Sequence, residues 1–144
     1  MADEQNYSNH VRWYPLVHFV IFPIFTLNFI YQAFRLYQEP SWDRAVWVVV
    51  CIGFIALSFA ARLQALKAQD RVIRLEERLR YQGVLPPDLA AKASGLRVGQ
   101  IIALRFASDG ELADLVGQVL EGKLNTSKEI KTAIRSWRGD HLRV

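Results

Sequence analysis

The stretch AVWVVVCIGFIALSFAARLQALKAQDRVIRLEERLRYQ, residues 45–82, decides the fold. From Ala45 to Ala61 it holds no Asp, Glu, Lys or Arg, and from Arg62 onward it is densely charged. No Gly or Pro, the residues that most readily break a helix, occurs between Phe54 and Gln82. At a rise of 1.5 Å per residue it predicts one continuous helix about 57 Å long. One half of that helix suits hydrocarbon and the other half suits water.

Upstream lies a second uncharged stretch, from Leu16 to about Phe34. Its nineteen residues make about 28 Å of helix, close to a hydrocarbon core of about 30 Å. Trp42 and Trp47 stand at one end of the 45–61 segment, with Tyr37 closing the segment before it. Trp13 and Tyr14 stand at the opposite side, so aromatic residues occupy both expected interfaces. Two core helices of a soluble protein would need more covering chain than remains. The link Arg35–Arg44, RLYQEPSWDR, carries Pro40 and Ser41 as its turn and is short enough to force antiparallel neighbours. The expected fold is therefore all-α. A transmembrane hairpin over 16–61 (spans about 16–34 and 45–61) follows a segment 1–15. A cytoplasmic helix extension over 62–82 and a small helical domain over 83–144 complete the chain.

Charge supports this division. Of 144 residues, 51% are hydrophobic, and the net charge is +4. Residues 1–61 contain three basic and four acidic residues, and residues 62–144 contain 15 and 10. That partition excludes a single globular domain and a wholly disordered chain. Cys51, the lone cysteine, excludes an internal disulfide and a cysteine zinc site, and reads as a small buried hydrophobe. The start, MADEQNYSNH, has acids where a secretory signal needs basic residues, and no small-residue cleavage site follows, so no removed signal is expected. Near the membrane ends the link offers two basic residues, against six in 62–80: Arg62, Lys67, Arg71, Arg74, Arg78 and Arg80. The positive-inside rule puts the C-terminal part in the cytoplasm, and two spans return the N-terminus to the same side. The sequons at Asn6 and Asn125 then face no glycosylation machinery.

Within the first span His18, Asn28 and Gln32 are the polar residues, with Gln32 and Asn28 about 40° and 80° around the helix from His18. Such a stripe faces the second span or another subunit, and an ion or proton path would use the same residues. Pro23, on the opposite side, kinks the helix. The second span carries a small-residue face, Gly53, Ala56 and Ala60, suited to close helix packing within the hairpin or against another protein. Beyond the bilayer, Ala65, Ala68, Val72, Leu75 and Leu79 follow a 3-4 spacing, a short coiled-coil seam with Arg71 and Glu76 on its flanks. The same stripe could instead pack on the chain's own C-terminal domain. Asp70–Arg74 and Glu76–Arg80 have the spacing of helix ion pairs. Lys67, Arg71, Arg74 and Arg78 line one edge, positioned for anionic headgroups or for acids on a partner. Dilution by Asp70, Glu76 and Glu77 and the lack of interleaved aromatics argue against nucleic acid.

Gly83 and Leu85-Pro86-Pro87-Asp88 end the long helix. Short helices are expected near Asp88–Ala93, Val98–Ala107, from Ser108 to about Glu121, and from Thr126 to about Arg138. Ser108-Asp109-Gly110-Glu111 and Thr126-Ser127-Lys128-Glu129 supply capping boxes. Ile101, Leu104, Ala107, Leu112, Leu115, Val116, Val119, Ile130, Ile134 and Trp137 are the candidate core. No glycine-rich phosphate loop, nucleophile elbow, His-Glu-x-x-His or paired-cysteine motif occurs. His10, His18 and His141 are too scattered for a metal site. Neither a catalytic constellation nor a cofactor is expected. Arg135, Arg138 and Arg143 could pair with Asp140 or phosphate, or answer a helix dipole.

Four segments, QNYSNH at 5–10, QDRVIRLEERLR at 69–80, ALRFASD at 103–109 and IKTAIRSWR at 130–138, together resemble a family of small bacterial membrane proteins with no assigned function. That resemblance implies a bacterial source and a two-span topology, and no active site. The expected role is a non-enzymatic scaffold or accessory subunit of the bacterial inner membrane, contacting lipid and copies of itself or a larger complex. The alternative is an oligomeric channel or small transporter lined by His18, Asn28 and Gln32. With both termini inside, a reporter active only outside the cytoplasm should stay silent when fused after Val144. Activity there would overturn the topology.

Overall fold

The computed structural model describes residues 6–7 and 14–140. Trp13, His10, His141 and Arg143, which figure in the sequence reading, lie outside the described residues. The described chain is all-helical. A π-helical turn, Leu16–Ile21, leads into α1, Phe22–Gln38. The 43-residue α2, Trp42–Val84, follows, then α3 (Pro87–Ser94), α4 (Val98–Leu104), α5 (Asp109–Leu120) and α6 (Ser127–Ala133). The described residues form two compact units, one of residues 14–66 and the other of residues 67–140 together with residues 6–7.

The first unit is an apolar hairpin of α1 and the opening turns of α2. Phe22 meets Phe59 with ring centroids 4.7 Å apart, and Phe25 stacks on Phe54 at 5.2 Å. Cys51 is buried, as expected of a small hydrophobe in that run. The link is closed by Arg44. Its guanidinium donates to the carbonyls of Arg35 (3.1 Å) and Glu39 (2.8 Å) and to the Glu39 carboxylate. One side chain thereby holds two carbonyls at the end of α1: Glu39 O, beyond the last helical N–H, and Arg35 O, which also accepts from Glu39 N–H at 3.1 Å. The same contacts hold the Glu39 carboxyl below its usual range, Arg44's hydrogen bond first and its charge second.

The second unit packs α3–α6 around one face of outer α2. Tyr81, Phe106, Leu112, Val116 and Ile130 are completely buried, and Leu104, Leu115, Val119 and Ile134 join them. The candidate core is thus assembled almost as the helical spacing predicts, with Trp137 partly buried against it. Both capping boxes form. Glu129 N–H donates to Thr126 Oγ1 at 3.2 Å while Thr126 N–H donates to the Glu129 carboxylate at 3.0 Å. Ser108 N–H reaches the Glu111 carboxylate at 3.4 Å. The turn after α5 needs Gly122, whose φ of 76° lies in the left-handed region. There Lys123 N–H and Gly122 N–H return to the carbonyls of Gln118 and Val119, a Schellman closure.

One expectation is corrected. The last helix ends at Ala133, five residues before Arg138, because two forces draw the chain off helically bonded geometry. Glu111 accepts from the N–H groups of Arg135 (3.0 Å) and Ser136 (3.1 Å). The extended backbone then bridges Ala107 and Trp137 in antiparallel fashion, with Arg138 N–H donating to Phe106 O at 2.7 Å. The Trp137 ring settles 5.0 Å from that of Phe106.

Candidate assembly surface

Outer α2 has two contrasting faces. Ile73, Glu77 and Tyr81 are 5%, 4% and 0% exposed, all turned into the C-terminal unit. Val72, Leu75 and Leu79 are 54%, 61% and 61% exposed. At 100° per residue these two triplets point about 170° apart. The stripe Val72–Leu75–Leu79 therefore does not pack on the chain's own C-terminal domain. That domain takes the opposite side of the helix, and a line of large apolar side chains is left in solvent.

The covered face is anchored by charge. Glu77 accepts from Arg80 at 3.1 Å and from Arg138 at 3.4 Å. Arg80 also donates to Ala107 O at 2.7 Å and pairs with Asp109 Oδ1 at 2.5 Å. The helix pair expected between Glu76 and Arg80 gives way to this set, because a buried carboxylate left without a partner is far costlier than an exposed one. Burial raises the Glu77 carboxyl above its ordinary value, outweighing the opposing charges of Arg80, Arg138 and Arg105. Tyr81 is buried beside it, and its hydroxyl has no hydrogen-bond partner among the described residues. Burial, and after it the Glu77 charge, pushes the phenol up. Near the C-terminus Asp140 pairs with Arg105 at 3.1 Å, an arginine outside the expected set of Arg135, Arg138 and Arg143, while Arg138 reaches Glu77. Nothing in the sequence spacing marks Glu77 as the buried member of the Glu76-Glu77 pair; only the position of the covered face does.

The basic edge is divided. Arg78 turns back and donates from Nε (3.2 Å) and Nη2 (2.9 Å) to Ser94 O, capping α3. Lys67 and Arg71 are exposed and Arg74 is half-buried. Among the described residues neither Arg71 nor Glu76 enters an ion pair. Ala68 is exposed and Ala65 half-buried.

Within the hairpin the polar stripe is also split. His18 and Gln32 are half-buried, whereas Asn28 is exposed. The His18 ring nitrogen Nδ1 lies 2.9 Å from Tyr14 O and 3.2 Å from Tyr14 N. Gly53, Ala56 and Ala60 are exposed, and a Cβ added at Gly53 would meet nothing within 4 Å. The small-residue face is therefore not what packs α2 on α1.

A family described as "Family of unknown function (DUF6526)" matches residues 1–144. The chain belongs to that family. No curated protein and no solved structure matches it.

The buried carboxyl gives a pH signature. Glu77 has a raised value in the folded chain, so the folded state holds a proton that the unfolded state releases. Its contribution to stability should fall as pH rises from 4.5, the ordinary value, through the raised one. Glu129, lowered by the N–H groups of Asn125 and Thr126, works in the opposite sense, losing its contribution as pH falls. The difference between the thermal-unfolding profiles of the native chain and Glu77→Gln isolates the first effect. The native chain should lose stability relative to the variant as pH rises above 4.5; parallel profiles would contradict the buried-carboxyl assignment.

Proposed function

We propose that the chain is a non-enzymatic integral protein of the bacterial cytoplasmic membrane, with both termini inside, that acts as an oligomeric scaffold or accessory subunit through outer α2. The exposed apolar seam Val72–Leu75–Leu79, set opposite the face that its own domain covers, is the observation that carries this reading. Two helices, Leu16–Gln38 and Trp42–Val84, are long and apolar enough to cross a membrane. Their most apolar windows are 0% and 6% buried, whereas a core helix of a soluble protein would be largely covered. Phe19, Leu27 and Val49 are each about two-thirds exposed, an arrangement that lipid satisfies and water does not. Lipid headgroups would meet Lys67, in the first turns beyond the apolar segment, before the field fades over about 10 Å.

A channel lined by His18, Asn28 and Gln32 draws less support, since Asn28 is exposed while the other two are half-buried. The scaffold reading is tested with Leu75→Asp combined with Leu79→Asp, measured by light scattering of the detergent-solubilised full chain. Each aspartate would bury an unpaired charge in the assembly, so the variant should be smaller than the native particle. A native chain that is strictly monomeric at every concentration overturns the proposal, as does a variant with undiminished assembly.

A further inference from the structure

We infer that the occupant of the exposed α2 seam is a second copy of this chain, packed in parallel with Arg71 of one copy against Glu76 of the other. The inference rests on the scaffold reading above and gives its surface a partner and a register. The seam fixes heptad positions: Val72 and Leu79 at the first apolar position, Leu75 at the second. At the Val72–Leu75 step a β-branched residue at the first position and leucine at the second favour two parallel strands. Arg71 and Arg78 then occupy one flank of the seam, and Gln69 and Glu76 the other.

That asymmetry chooses both partner and direction. In a parallel pair the basic flank of one helix lies along the acidic flank of its mate. The two residues that meet across the seam are five apart in sequence, which Arg71 and Glu76 are. In an antiparallel pair the basic flanks would face each other, bringing Arg71 against the other copy's Arg78. Both Arg71 and Glu76 are exposed and outside any ion pair among the described residues, so each is available to its mate. Arg78 is already held by Ser94 O. Membrane insertion in one orientation makes every pair of copies parallel, and confinement raises the effective concentration that so short a seam requires. The opposite face, with Ile73, Glu77 and Tyr81, stays covered by each copy's own domain, so pairing demands no refolding.

The test is oxidative cross-linking of full-length protein in bilayers, using Leu75→Cys in a Cys51→Ala background. A parallel pair brings the two new thiols together across the seam and should give a reducible dimer. Arg71→Glu alone, or Glu76→Arg alone, should lower the cross-linking yield about tenfold, because both symmetry-related pairs turn repulsive. Arg71→Glu together with Glu76→Arg should restore it, a rescue that a misfolded variant cannot show. Absence of the dimer, while Leu75→Asp with Leu79→Asp still breaks up native assemblies, would overturn self-pairing and leave the scaffold reading standing. A native chain that is always monomeric would remove both. A yield that follows the anionic phospholipid content of the bilayer and ignores Glu76→Arg would overturn the pairing by showing that Arg71 answers headgroups.

Discussion

The unbroken hydrogen-bond ladder of α2 is the constraint on which the molecule depends. Without Gly or Pro between Phe54 and Gln82, each side chain's direction is fixed by its position in the 3.6-residue repeat. Once Tyr81 enters the C-terminal core and Ile73 is buried on the same face, Val72, Leu75 and Leu79 have no choice but the opposite side. Glu77 lies between the two buried residues on the covered face, and Arg80 with Arg138 makes its burial tolerable. The charge cluster and the exposed seam are thus two consequences of one helix register.

A unit of this size builds only a modest core, and its design shows several economies. Arg44 closes the hairpin link by itself, and Glu111 first helps open α5 and then stops α6. Arg80 ties α2 to the start of α5 through Asp109 and to the preceding backbone through Ala107 O. Removing any one of these side chains strands several polar groups at once, which is costlier than losing a surface ion pair.

Much of this was legible in the sequence. The uncharged stretches, the link at Pro40–Ser41 and the capping boxes at Ser108 and Thr126 locate the helices because each is a local signal. The core residues from Ile101 to Ile134 follow from spacing alone. What could not be read was decided by contacts distant in sequence. The end of α6 depends on Glu111, more than twenty residues upstream, whose carboxylate captures the amides of Arg135 and Ser136. Which of Glu76 and Glu77 is buried depends on which face of α2 the domain covers, and both faces carry apolar residues. The seam was visible as a pattern, but its exposure is a tertiary fact.

In the proposed assembly α2 is covered on one face by its own chain and on the other by another molecule. Labelling of single cysteines by a water-soluble maleimide addresses it most directly, with Ile73→Cys and Leu75→Cys each placed in a Cys51→Ala background. In densely populated membranes both positions should react slowly. After dilution into detergent, Leu75→Cys should become reactive while Ile73→Cys stays protected. Fast labelling at Leu75→Cys under both conditions would show a face that meets only water, and would contradict the claim.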